Sequence, residues 1–325
     1  MHLNLNSELF SHNPGVGTMT TPLHTHLHSS TKMVCPACHG TLIIQNKTIA
    51  CVDCKRDFGF SVGFPDLIIG ERFDDASDEN LLLYEEQSNA FLTENYWIPL
   101  FRRLWPDKVD IKVLSCGCGI GVDVDLLNDN GIQCMGIDCG NRTNVWSRRT
   151  HKAQLLLANG KHLPFESESF DGAFCGCVFP HVGVIGDSNQ VQENYYNERL
   201  ALAREMSRVV KPGGKIVLAS PNRLFPLDIF HGRKAGSYKP RINWPTSPFL
   251  LSLEDYRNLF IESGCVKADT LPIDNYWGFV RSKKTWKGYI FSLPVAFIFW
   301  LVSQEKLKFL RNSVVNPWLV VLITR

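Results

Sequence analysis

Val113-Leu114-Ser115-Cys116 runs directly into Gly117-Cys118-Gly119-Ile120-Gly121, and this junction restricts the chain more than any other stretch. An apolar, β-branched run reads as a buried strand, and three alternating glycines read as a turn in which the backbone comes close to a ligand, because glycine has no Cβ to obstruct it. A second short apolar run, Gln133-Cys134-Met135-Gly136-Ile137, ends in Asp138, 21 positions after Gly117. An acidic residue at the tip of the neighbouring strand is placed to accept ribose hydroxyls. The dinucleotide fingerprint needs a further glycine at position 122, which here is Val122. The turn therefore suits a nucleoside without phosphates better than a dinucleotide.

From Ile111 onward short apolar runs alternate with helical patterns, the signature of a parallel sheet with crossover helices. Strands are expected near 111–115, 133–137, 153–157, 171–177 and 214–220, with helices near 121–129, 142–150 and 192–210. Lys211-Pro212-Gly213-Gly214 stops the longest helix and turns the chain into the fifth strand. A helix near 252–263, a strand near 265–273 and a final strand at 317–324 complete an α/β fold. A hydrophobic content of 44% over 325 residues supplies core for one large domain and a small one.

The small one is expected at 33–70. Cys35-Pro36-Ala37-Cys38 and Cys51-Val52-Asp53-Cys54 are separated by a twelve-residue excursion. Two C-x-x-C knuckles let four thiolates converge tetrahedrally, an arrangement that suits structural zinc and leaves no open position for chemistry. In so small a unit metal binding contributes folding energy. Two alternatives carry less weight. Disulfides do not suit eleven cysteines without a signal peptide, and a redox pair would need a thioredoxin-like strand–helix context. A cytoplasmic location is the corresponding expectation.

Residues 1–32, polar and with His24, His26 and His28 alternating, read as a disordered arm, and Met33 stands as a second candidate start. Residues 71–109 read as a polar linker followed by helices. Their aromatic residues, among them Phe91, Tyr96, Trp97 and Phe101, recur at core-facing spacing and either pack a core or cover a ligand mouth. A net charge of +2 gives no general reason to bind nucleic acid or membrane.

Four landmarks in order give the region 110–325 a resemblance: the glycine turn; Gly136-Ile137-Asp138; Leu163-Pro164-Phe165 followed by Ser169-Phe170-Asp171; and Arg208-Val209-Val210-Lys211-Pro212-Gly213-Gly214. Together they resemble the class I S-adenosylmethionine-dependent methyltransferases of the Leu-Pro-Phe group. The resemblance implies a Rossmann-like seven-stranded sheet whose last strand runs antiparallel between the fifth and sixth, with an insertion here at about 275–315. It implies that Gly117, Gly119 and Gly121 hold the methionine part and adenosine edge, and that Asp138 binds the ribose. Asn159 would contact the adenine amino group, and Cys177 would lie beside the methionine moiety. Ser115 stands where the family commonly has an acidic residue, so the cofactor contact there loses its charge or another residue supplies it. The cysteine unit resembles the zinc ribbon of methyltransferase activator subunits, and Ser61-Val62-Gly63-Phe64-Pro65-Asp66-Leu67-Ile68 resembles its closing segment.

His181, just past the fourth strand, is the candidate base or acceptor-orienting residue. Asn222 and Arg223, past the fifth, resemble acceptor-side residues, with a surface ion pair as the competing account of Arg223. Tyr195 and Tyr196 either line the pocket or pack. The apolar stretch Tyr289–Val302, interrupted by Pro294 and bracketed by lysines, has three readings: a buried helix in the insertion, a lid, or an interfacial helix in peripheral contact with a membrane. The expected function is methyl transfer to a small-molecule, glycan or lipid-type acceptor. An RNA methyltransferase using the ribbon is the alternative enzyme, although Lys47, Lys55 and Arg56 are opposed by Asp53, Asp57 and Asp66. A non-catalytic cofactor-binding scaffold is the third reading.

Overall fold

The computed structural model describes residues 21–22, 31–45, 48–73, 79–186, 188–228, 241–278 and 285–325. Most of the arm at 1–32 lies outside them. In chain order the strands are β1 Thr21–Pro22, β2 Leu42–Gln45, β3 Thr48–Cys51, β4 Asp57–Ser61, β5 Phe64–Asp66, β6 Lys112–Cys116, β7 Gln133–Asp138, β8 Leu155–Leu157, β9 Phe170–Gly176, β10 Val210–Pro221, β11 Leu227–Asp228, β12 Arg241–Ile242, β13 Lys267–Thr270 and β14 Trp318–Thr324. The helices are α1 Glu79–Leu92, α2 Ile98–Leu104, α3 Val122–Asp129, α4 Tyr195–Val209, α5 Leu253–Glu262 and α6 Trp286–Ser303. A π-helical turn, Thr93–Trp97, joins α1 to α2.

The order β8-β7-β6-β9-β10-β14-β13 is the expected seven-stranded arrangement. Strands β6 to β10 pair in parallel, and β14 runs antiparallel between β10 and β13. Side chains alternate between two cores, as the pleat requires. Leu114, Met135, Leu156, Ala173 and Leu218 face α4 and α5, while Val113, Cys134, Leu155, Phe174 and Val217 face Trp97, Phe101 and the insertion. Tyr96 and Trp97 of the π-helical turn and Phe101 of α2 are thus core, while Tyr84 and Phe91 of α1 are half-buried.

The helix expected near 142–150 is a 3₁₀ helix, Asn141–Arg148. Asn, Thr and Ser compete for backbone groups there, and the Asp125 carboxylate accepts the N–H of Thr150 and His151, ending the turn early. The sequence landmarks also bind one another. The Arg208 guanidinium donates to the carbonyls of Leu163 (3.0 Å) and Phe165 (2.7 Å). Lys211 and Lys108 both reach Asp171 at 2.8 Å. Burial alone would raise that carboxyl, but the two ammonium groups hold it below its usual range.

The cysteine unit continues the same sheet. Strands β2 to β5 form an antiparallel meander, and Asp66 of β5 pairs in parallel with Leu157 of β8. The Leu67 N–H donates to the Leu157 carbonyl at 2.8 Å, and Val34 N–H to Pro164 at 3.0 Å. Leu42, Ile49, Phe58 and Leu67 share one core with Leu156, Leu163 and Phe165. The ribbon therefore covers what would be an open sheet edge, and the Leu-Pro-Phe loop is part of its seat. Thr21 and Pro22, inside the stretch read as an arm, pair with Ile44 and Ile43 of β2.

Candidate cofactor and acceptor site

Strand order reverses between β6 and β9, and ligands of open α/β sheets bind at such a point, beyond the carboxyl ends of the strands. The glycine turn leaves β6 here, with Gly117, Gly119 and Gly121 at φ of 78°, 53° and 76°, the left-handed region. A Cβ on Gly117 would meet Val178 Cγ2 at 2.5 Å, so the turn and the segment after β9 touch. At Gly119 a Cβ would find only Arg142 Cδ, at 3.7 Å.

Adjacent pairing of β7 and β6 brings Asp138 to this turn. Its carboxylate accepts the N–H of Gly119 at 2.8 Å and of Gly140 at 2.7 Å, and burial pushes it above its usual range. Ser115, 2% exposed, donates its hydroxyl to a residue the sequence reading did not weigh, Asp123 in the first turn of α3. Burial raises the Asp123 carboxyl to about 6, while the Ser115 hydroxyl and the Val124 N–H oppose that shift. Asp123 thus puts a carboxylate at the end of β6, eight residues beyond Ser115. Its position just after the last glycine was the available signal. Among the described residues neither Asp123 nor Asp138 pairs with a lysine or arginine.

A strap from the linker crosses the carboxyl ends of β8 and β7. The Asn159 amide donates to the Glu71 carbonyl at 3.1 Å, while its oxygen accepts Lys161 N–H at 3.0 Å. Phe73 N–H donates to the Cys139 carbonyl at 3.1 Å, and its ring stands edge-on to His181, centroids 5.8 Å apart. Beside it lies a cleft of about 280 Å³, lined by Ser61 and Phe64 of the ribbon, Arg72 and Phe73 of the strap, and Gly140 and Asn144 after β7. Helix α1 covers the turn from the other side, where Glu85 pairs with Arg142 at 2.8 Å and Glu86 with Arg149 at 2.6 Å.

Cys177 follows β9 with φ of 58°, its N–H held by the Ala219 carbonyl. His181 ends a 3₁₀ turn at the same edge, between the rings of Phe73 and Phe249. Ser115, the three glycines, Asp138, Asn159, Cys177 and His181 thus stand at or just past the carboxyl ends of β8, β7, β6 and β9, where sheets of this kind carry a ligand crevice.

The two expected acceptor-side residues after β10 are engaged within the protein. Asn222 is 1% exposed: its amide donates to the carbonyls of Ser313 (3.0 Å) and Asn316 (2.9 Å), and its oxygen accepts Leu224 N–H. It ties the insertion to the end of β10. Arg223 pairs with Asp255 at 3.0 Å, the ion-pair alternative. Tyr196 is exposed and donates to Glu262, and Tyr195 lies under Arg199.

Cys35, Cys38, Cys51 and Cys54 converge, their sulfurs all within 4.8 Å of one another. Sγ separations of 3.7 Å (Cys35–Cys54) and 3.5 Å (Cys38–Cys51) are far too long for disulfides, which need about 2.05 Å. Sulfurs about 2.3 Å from a tetrahedral zinc would stand about 3.8 Å apart.

Residues 114–218 match the family described as a methyltransferase domain. An uncharacterized protein of Methanocaldococcus jannaschii is 30% identical over 139 residues, covering 42% of this chain and 53% of the relative. A protein of Mycolicibacterium smegmatis, named a probable S-adenosylmethionine-dependent methyltransferase, is 26% identical over 188 residues, covering 54% and 67%. Among solved structures, phosphoethanolamine N-methyltransferase 2 of Haemonchus contortus with S-adenosyl-L-methionine aligns at 19% identity and a TM-score of 0.41, covering 70% of this chain and 51% of that one. The chain spans about half the length of the first of these relatives.

Proposed function

We propose, from the premise that residues 114–218 are a methyltransferase domain, that this protein transfers a methyl group from S-adenosylmethionine to a small-molecule, glycan or lipid-type acceptor. The observation that carries the reading is the pair of half-buried carboxylates, Asp123 and Asp138, which flank the glycine turn without a lysine or arginine partner among the described residues. Such a site is complementary to a cationic nucleoside: one carboxylate faces sugar hydroxyls and the other an ammonium group.

When bound, that cofactor supplies a methyl group on a positively charged sulfur. In the proposed arrangement Asp138 holds the ribose, Ser115 and Asp123 together hold the ammonium end, and Asn159 marks the adenine end. Gly119 leaves its side of the turn open. Methyl transfer is an in-line displacement, so the chain mainly has to align the acceptor and exclude water. Phe73 and α1 are placed to do the second. His181 faces the acceptor side and takes a proton from it, or orients it, where the nucleophile is a hydroxyl. Asp123 supplies the charge that Ser115 lacks, which removes the one departure from the family pattern that would favour a non-catalytic scaffold. The four thiolates are proposed to hold structural zinc, which would brace the ribbon against β8.

Titration calorimetry of the purified protein with S-adenosylmethionine tests the assignment. One-to-one binding is expected. No heat at about millimolar cofactor from folded protein, or displacement of the cofactor by a nicotinamide dinucleotide, would remove it.

A further inference from the structure

The insertion carries a feature that methyl transfer by itself does not require. Among the described residues α6 is the helix long and apolar enough to cross a membrane. It does not cross one in this fold. Phe299 and Val302 are buried in the same core as Tyr276 and Trp318, and the Ser303 hydroxyl accepts the N–H of Ile273 and Asp274 at 3.0 and 2.8 Å. The opposite side meets solvent. Trp286, Tyr289, Ile290, Leu293, Phe297 and Trp300 are each 49 to 71% exposed. At 3.6 residues per turn these six fall within an arc of about 100°. A continuous apolar stripe of this kind on a folded surface marks a docking site.

The occupant is indicated by composition and charge. Tryptophans stand near both ends of the helix, a tyrosine lies one turn in, and such rings favour the boundary between headgroups and acyl chains. Lys287 stands in the first turn of the helix, beside the start of the stripe, with its ammonium 5.6 Å from the Trp286 ring centroid, and Lys306 and Lys308 follow the helix, all three exposed. A helix with one apolar face and basic flanks lies in the plane of an anionic membrane surface.

The insertion's placement links this face to the chemistry. It leaves the sheet at Thr270, the end of β13, and returns at Trp318, opposite Pro221 at the carboxyl end of β10. Tyr276, near its start, has its hydroxyl 3.9 Å from where a Gly176 Cβ would lie, one residue before Cys177. We infer that α6 seats the protein on an anionic lipid surface with its crevice toward that surface, and that the acceptor is a molecule dissolved in or anchored to the lipid. The docking stands on α6 alone, while the acceptor class rests on the methyltransferase reading.

Flotation of the full-length protein with vesicles of phosphatidylcholine, with and without phosphatidylglycerol, tests the docking. Binding to the anionic vesicles and a blue shift of tryptophan emission are expected. The double variant Leu293→Glu, Phe297→Glu should bind at least about tenfold more weakly, because both charges would enter the apolar layer. Val266→Glu replaces another exposed apolar residue, at the amino end of β13, and should bind as the parent does. Equal binding by the double variant, an equal loss in Val266→Glu, or no binding by the parent would overturn the inference. A concentration-dependent dimer abolished by the double variant would assign the face to a second copy and overturn it too. Calorimetry with S-adenosylmethionine on the same samples separates the two readings: lost cofactor binding condemns the enzyme assignment, and lost flotation the docking.

Discussion

Replacing Asp123 by asparagine tests the idea that the charge missing at Ser115 is supplied from α3. The substitution keeps shape and an acceptor for the Ser115 hydroxyl but removes the charge. A hydrogen bond to a charged group contributes about 1.5–3 kcal/mol, so cofactor affinity at pH 7.5 should fall roughly 10- to 150-fold. The pH dependence is the sharper test. Burial raises this carboxyl to about 6, so at pH 5 about one molecule in eleven is ionised, and binding should be about tenfold weaker than well above pH 6. The cofactor's ammonium, with an α-amino pKa of about 7.7–8.0, is fully protonated from pH 5 to about 6.5 and still mostly so at pH 7.5, and its titration is common to parent and variant. Asp138 is also raised by burial, so the quantity to read is the difference between parent and variant. Stability should move the opposite way. A carboxyl raised in the folded state contributes stability that is fully present below its unfolded value and lost as pH rises through about 6. The variant should therefore gain melting temperature relative to the parent at pH 7.5 and not at pH 4. Calorimetric titrations from pH 5 to 7.5, with thermal melts alongside, measure both. An unchanged affinity, or a variant whose affinity keeps the parental pH slope, would refute the reasoning.

Gly117→Ala should destabilise the protein by roughly 1–3 kcal/mol, because an L-residue is strained at φ of 78° and its Cβ would press on Val178 at 2.5 Å; chemical denaturation reads it, and a neutral result would mean the turn relaxes freely. Metal analysis should find one zinc per chain, lost in Cys35→Ser, Cys38→Ser. Its loss should also lower the melting temperature of the whole protein, since the ribbon shares a core with β8 and the Leu-Pro-Phe loop. A variant retaining one equivalent would exclude the four-thiolate site.

What the sequence could determine by itself was local. Alternating glycines, a proline–glycine stop and paired C-x-x-C knuckles are demands of backbone conformation and ligand spacing, so they are legible wherever they occur. Strand and helix periodicity placed β6, β7, β9, α4 and β14 near their observed positions for the same reason. Tertiary structure decided which distant residues meet. Asn222 and Arg223 follow β10 where acceptor contacts are expected, yet the insertion's carbonyls and Asp255 claim their side chains. Ser115 reads as a lost charge until α3 turns Asp123 back onto it. The apolar run in α6 reads equally as core or surface, because one-dimensional hydropathy is high on both sides of that helix. Only the packing of Phe299 and Val302 assigns one side to the protein and leaves the other exposed.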